Sequence, residues 1–213
     1  DFSYEVSRAL ASCEGILLLV DASQGVEAQT MANMYMALEH DLEIIPVINK
    51  IDLPSADIDM AKVQIDQELG LDAEVAIAVS AKTGENVKQI LESLVEWVPP
   101  PKGDPQAPLS ALIFDANYDP YRGAIISCRI VDGSIKPGQT IRFMSNGATY
   151  KVEEIGVFRP GRTERNELNA GEVGYIISGI KTVSDIAIGD TITNHSQPAA
   201  EALPGFVEVK PVV

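Results

Sequence analysis

Ile44-Ile45-Pro46-Val47-Ile48 runs straight into Asn49-Lys50-Ile51-Asp52, an apolar strand ending in a polar turn. The pattern returns one strand later, where Val75-Ala76-Ile77-Ala78-Val79 runs into Ser80-Ala81-Lys82-Thr83-Gly84. Ligands on open α/β sheets bind at the carboxyl ends of strands, and both polar turns fall there. An Asp carboxylate in that position accepts from the ring N–H and the exocyclic amino group of guanine together, a bidentate charge-assisted pair that adenine has no donors to make. The expected roles follow from that chemistry. Asp52 takes the two guanine donors. Asn49 ties the loop and reaches the purine edge, and the Lys50 stem lies along the flat face of the base. The Ala81 N–H donates to the guanine carbonyl oxygen. Buried polar partners of this kind reject an analogue lacking them by roughly four to five orders of magnitude. Four residues could equally be a plain polar turn; the second turn at the end of the next strand is what favours a pocket. Asn49, Lys50, Ile51 and Asp52, with Ser80, Ala81 and Lys82, are therefore the candidate nucleotide-binding residues.

Around these turns the hydrophobic period alternates between strand and helix. Phe2, Val6, Ala9, Leu10 and Cys13 fall at helical spacing. Gly15–Asp21 is a continuous apolar run bounded by Gly and by Asp-Ala-Ser-Gln-Gly, which predicts a parallel strand covered on both faces. Helices are expected over 26–39, over 57–70 from Asp57 to Gly70, and over 86–97 with Val87, Ile90, Leu91, Leu94 and Val95 on one side. Strands are expected at 43–48 and 74–79. Pro46 counts against the first of these, because proline cannot donate to a ladder and belongs at an edge or a bulge. Strand and helix in alternation mean a parallel α/β sheet.

Pro99 to Pro108 is a proline-rich extended linker and marks a domain boundary. Beyond it the period becomes two, in Leu109–Asp115, Gly123–Val131, Thr140–Phe143, Thr149–Val157 and Gly174–Ile180. Turns are marked by Asp132-Gly133, Pro137-Gly138, Asn146-Gly147, Pro160-Gly161 and Gly189-Asp190. Short strands at this spacing predict a closed β-barrel. The expected organisation is an α/β unit at 1–98, a linker at 99–108, a barrel at 109–195, and a linker with the first strand of a further domain at 196–213. Without an initiator Met, Asp1 reads as the end of a loop.

The formal net charge is −15, and it is uneven: residues 1–108 hold 6 basic and 19 acidic groups, residues 109–194 hold 9 and 10. An acidic surface repels a phosphate backbone, so any nucleic-acid contact is expected from the barrel. Cys13 and Cys128 each sit in an apolar pattern and are expected to be reduced, buried and inert. No apolar run is long enough for stable membrane insertion. His40 and His195 are read as surface residues, and Asp21 as the cap of the turn 21–25 and outside the site.

Together the two polar turns, the opening Asp1-Phe2-Ser3-Tyr4-Glu5-Val6 and the barrel segment Arg129 to Gly138 resemble the translational GTPases. Asn49–Pro54, Ala170 to Tyr175 with Gly179-Ile180-Lys181, Gly189-Asp190-Thr191 and Ala202 to Phe206 are similar to the LepA back-translocase branch of that family. Only 27 residues separate Asp52 from Ser80, too few for the inserted subdomain of elongation factor G. The resemblance implies a P-loop GTPase domain followed by a translation-factor β-barrel, with GTP or GDP as ligand and magnesium beside it. It also implies a ribosome-dependent GTPase that moves or remodels tRNAs backward, with the barrel leaning on small-subunit rRNA. Localisation would be cytoplasmic and ribosome-associated, with peripheral contact at the inner face of the plasma membrane.

No Gly-x-x-x-x-Gly-Lys-Ser/Thr loop and no magnesium-completing switch loop occurs in these 213 residues, so the phosphate half of the site and the magnesium ligands are expected upstream, and no catalytic residue is assigned. Two other readings are a non-catalytic adaptor with a degenerate guanine fold and another translational GTPase, of TypA or release-factor type; residues 170–206 speak against the latter. The resemblance also implies that the strand carrying the phosphate loop pairs with the strand at 16–21, so its absence from these residues predicts an unpaired apolar edge at residues 16–20.

Overall fold

The structure is a computed structural model and describes residues 3–205. The first strand of a further domain expected within 196–213, at Val207–Val213, lies outside them, as do Asp1 and Phe2. Two compact units divide between Pro100 and Pro101.

In the first unit, α1 (Ser3–Leu10) leads into β1 (Gly15–Asp21), α2 (Ala28–Glu39), β2 (Glu43–Asn49), α3 (Ile58–Leu69), a single 3₁₀ turn (Ala73–Val75), β3 (Ile77–Ala78) and α4 (Val87–Trp97). The strands form a parallel sheet in the order β1-β2-β3. Helix α3 is bounded as its sequence signals require. The Asp57 carboxylate accepts from the Met60 N–H at 2.9 Å, and Gly70 closes the helix in the left-handed conformation.

Pro46 lies in the middle strand, not at an edge or bulge. The Ile48 carbonyl accepts from Val79 N at 2.8 Å, so alternation turns the backbone of Pro46 toward the same neighbour. That neighbour, β3, begins only at Ile77 opposite Val47. The missing donor thus falls where there is no strand to receive it. The strand expected over 74–79 is shortened to Ile77–Ala78, its first residues being taken up by the 3₁₀ turn.

The sheet is covered unequally. On one face Leu18, Val20 and Ile48 pack with Met34 of α2 and Ala61, Ile65 and Leu69 of α3. On the other, Ile45, Val47, Ile77 and Val79 pack with Ile90 of α4. That helix covers β2 and β3, which leaves Leu17 37% and Leu19 55% exposed on the edge strand β1. The expectation that β1 is covered on both faces is therefore corrected to one face among the described residues. The stripe expected on α4 is also narrower: Ile90 is buried, but Leu91 and Val95 face solvent.

The second unit is antiparallel. Its strands are β4 (Ser110–Asp119), β5 (Gly123–Asp132), β6 (Ser134–Ile135), β7 (Thr140–Phe143), β8 (Thr149–Lys151), β9 (Glu154–Phe158), β10 (Arg162–Arg165), β11 (Leu168–Asn169), β12 (Val173–Ile177) and β13 (Thr191–Asn194). Eight of them join in the order β10-β9-β12-β5-β4-β13-β7-β8, and β6 pairs with β11. The expected single strand 149–157 is broken at Val152-Glu153, and this break closes the barrel. Val152 exchanges backbone bonds with Gly138 and Gln139 next to β7, while Glu153 N donates to Ile177 O of β12 at 2.8 Å. One run of chain thus passes from β8, at one end of the sheet, to β9, next to the other end, and so draws the two sides together. Strands β10 and β13 carry no clear period-two signal; β13 reads as Thr-Ile-Thr-Asn, and only Ile192 is apolar. Inside lie Ile113, Ile126, Ile130, Ile141, Phe143, Ile155, Leu168, Ile176 and Ile192, all at 0% exposure. Cys128 is buried among them, and burial pushes its thiol up to about 12. Cys13 differs from expectation in being only half-buried.

Candidate functional site

The carboxyl ends of β1 and β2 lie side by side, with Asp21 in register with Asn49. Backbone bonds lock them: the Asn49 carbonyl accepts from Ala22 N at 2.8 Å, and the Ala22 carbonyl accepts from Asp57 N at 2.7 Å. The third strand end is brought in by Ile51 N, which donates to the Val79 carbonyl at 3.3 Å. The Ile51 side chain packs toward the core beneath the loop, so this residue anchors the turn.

Asn49 ties the two polar turns together. Its side-chain oxygen accepts from Lys50 N at 2.8 Å and from Ala81 N at 3.0 Å, across 32 positions of sequence. The tie was expected; its partner was not. The Ala81 N–H, assigned to a guanine carbonyl oxygen, is here committed to Asn49 and would have to be shared or released to reach a base.

Asp52 is held by the second turn. Ser80 Oγ donates to Asp52 Oδ1 at 2.7 Å, and the same Oγ accepts from Thr83 N at 3.1 Å. Ser80 is fully buried, and its backbone is closed by Ser80 N to Glu85 O at 3.1 Å and Gly84 N to Ser80 O at 2.9 Å. Each carboxylate oxygen has two lone-pair sites, so Asp52 keeps acceptor capacity after receiving the serine hydroxyl. The Lys82 ammonium stands 3.9 Å from Asp52 Oδ2, but its side chain is 82% exposed and holds the carboxylate weakly.

Lys50 departs from the strand in the left-handed region, at φ 68°. Its ammonium meets Asp21 Oδ2 at 2.6 Å. The other Asp21 oxygen accepts from Ser23 N at 2.8 Å and Ser23 Oγ at 2.7 Å. Asp21 does cap its turn, as expected, and it also pairs with Lys50, one of the candidate residues. The Lys50 ammonium, followed by the Ser23 donors, holds its carboxyl well below the usual carboxylate range. Lys50 is raised in turn, chiefly by Asp21 and to a smaller degree by Glu27. The signal for this pair is topological: an Asp ending one parallel strand lies beside the Asn that ends the next.

The seven candidate residues therefore come together at the strand ends, where they supply the Ser80-held Asp52 carboxylate, the Asn49–Ala81 clasp and the Lys50 stem. They do not fit magnesium, since Asp52 is the one carboxylate among the seven and the neighbouring Asp21 is not available to join it. Asp21 is committed to Lys50 and Ser23, and no three His, Cys, Asp or Glu side chains converge among the described residues. His40, read as a surface residue, is half-buried at the end of α2, and the exposed His195 donates its backbone N–H to the Thr140 carbonyl at 2.9 Å. No helix among the described residues is long and apolar enough to cross a membrane.

The Elongation factor Tu GTP binding domain family matches residues 1–100, and the Elongation factor Tu domain 2 family matches residues 123–193. Along all of its 213 residues the chain is 67% identical to Elongation factor 4 of Syntrophus aciditrophicus and of Syntrophobacter fumaroxidans, and 61% identical to that of Aquifex aeolicus. It spans 36% of the length of each of these relatives. With two elongation-factor domain families in tandem and this identity sustained from end to end, the chain belongs to the translational GTPase family, in its Elongation factor 4 branch.

Proposed function

We propose that this chain supplies guanine recognition and a docking barrel to a ribosome-dependent GTPase that drives or remodels backward movement of tRNAs. One observation carries the reading: the Asp52 carboxylate, oriented by the buried Ser80 hydroxyl, stands at the strand ends beside the Asn49–Ala81 clasp. Such a carboxylate selects guanine because its acceptors match two neighbouring donors, and its preset direction removes the need to order it when the base arrives. In this reading these residues bind and orient the base. Contacts to the phosphates, the attacking water and magnesium come from residues outside the 213.

Exchange of Asp52 for Asn in the full-length protein tests it. An amide cannot accept from both guanine donors, whereas its N–H₂ suits the extra carbonyl of xanthine. Preference should move from GDP toward XDP by two or more orders of magnitude, read as a ratio of dissociation constants; unaltered kcat/KM for GTP would sink the assignment.

For the barrel the proposed contact is small-subunit rRNA of a tRNA-bearing ribosome. Lys136 and Arg162 are already paired, with Glu167 at 3.2 Å and Asp119 at 3.5 Å. The exposed Arg159 and Arg165, flanking and ending the β9–β10 hairpin, are the better candidates for phosphate. Reversing both charges should lower ribosome affinity and flatten its salt dependence. A cytoplasmic, ribosome-associated protein goes with this reading. Peripheral membrane contact rests on the resemblance alone, and a net charge of −15 works against approach to an anionic leaflet.

A further inference from the structure

We infer that Asp21 is a positioning residue of the guanine site: it tethers the Lys50 ammonium so that the lysine stem is held across the mouth between the ends of β1 and β2, ready to cover one face of the purine. The inference rests on the guanine-site reading above and adds a residue to it.

Three observations support a tether over an incidental surface pair. The contact is short, 2.6 Å, and its acidic end is the sheltered one: the Asp21 side chain is 15% exposed and that of Lys50 54%. The anchor is also rigid. Asp21 Oδ1 is fixed by both Ser23 donors, so the carboxylate cannot follow the lysine, and the lysine must come to it. Finally, the backbone on both sides is fixed. Asp21 is in register with Asn49, the Asn49 carbonyl takes Ala22 N, and the Asn49 side chain takes Lys50 N. Lys50 therefore leaves a pinned peptide at φ 68° and ends on a pinned carboxylate.

A free lysine loses rotamer freedom when it lies down on a base, and that loss weakens binding. A tethered one has lost it during folding. Asp21 would thus strengthen nucleotide binding without touching the nucleotide. It should leave the choice of base alone, since that choice belongs to Asp52. A purely structural role, closing the turn 21–25, predicts something else: lower stability of the nucleotide-free protein, with any effect on binding independent of Lys50.

Asp21→Asn separates the two, because the amide oxygen still accepts from Ser23 while the charge for Lys50 is gone. In the full-length protein we expect the dissociation constant for GDP to rise about 10-fold. The ratio of GDP to XDP affinity should stay as in the unsubstituted protein, and the melting temperature without nucleotide should move by no more than about 2 °C. On a Lys50→Met background, which keeps a long stem but has no ammonium, the same exchange should change GDP affinity less than 2-fold. An unchanged dissociation constant for Asp21→Asn overturns the inference. So does an equal loss on the Lys50→Met background, which would place the effect in the fold. Failure of Asp52→Asn to shift the base preference would bring down the site reading itself, whatever Asp21→Asn does.

Discussion

The two sheets in this chain meet the same problem in opposite ways. The barrel closes on itself at Val152-Glu153, and its interior residues sit at 0% exposure. The parallel sheet has an edge at β1 and a face on which Leu17 and Leu19 stay in contact with water. A closed sheet is complete with its own strands, whereas an open one is finished only by what is laid against it. The candidate site sits on the open sheet, where three parallel strands end together and their turns can reach one another.

If closure is what stabilises the barrel, the largest effect should come from a side chain forced into its closing strand. Gly156 lies where the Tyr175 ring crosses β9, and an added Cβ would sit 2.6 Å from the tyrosine oxygen and collide with the Thr163 carbonyl. Gly156→Ala should cost the barrel about 3 kcal/mol or more, seen as loss of its thermal transition while the α/β unit keeps its own.

A smaller effect is expected from Tyr175 itself. Burial, and then the Glu154 carboxylate that accepts its hydroxyl at 2.8 Å, push its phenol up to about 12. The folded barrel favours the neutral phenol, so this stabilisation is complete below the ordinary value near 10 and is lost as pH rises toward 12. Barrel stability should fall by about 2 kcal/mol across that window. Tyr175→Phe should lack the alkaline fall, and pH-dependent denaturation of the two proteins measures the difference.

The smallest effect belongs to the open sheet. Leu19 is 55% exposed, so Leu19→Lys should change the stability of the isolated chain by less than about 0.5 kcal/mol. The same exchange should reduce self-association through the β1 edge, measured by sedimentation.

The sequence was most informative where a local signal and the tertiary demand coincide. Asp57 through its carboxylate and Gly70 through its left-handed backbone fix both ends of α3, and the turns at Asn49 and Ser80 mark the candidate site by repeating after two apolar strands. It was least informative where partner choice decides. Val152-Glu153 lies inside one apparently regular strand, and only the neighbours reveal that the chain changes sides there. Thr191–Asn194 is a strand because β4 and β7 flank it, and its own residues give little sign of that. The helical spacing of Leu91 and Val95 is real, but what could cover them is not a local property. Asp21 was read as a turn cap, which it is; its second bond, to Lys50, depends on a register that no single stretch records.

The claim on which all of this turns is that the chain holds the base-recognising half of a nucleotide site. Calorimetric titration of the 213-residue chain with guanosine, GDP and adenosine tests it most directly. Affinities for guanosine and GDP should be weak and closely similar, and none should be measurable for adenosine, because the proposed contacts lie at the purine and the sequence holds no phosphate-binding loop. Adenosine binding as well as guanosine, or GDP binding far more tightly than guanosine, would contradict it.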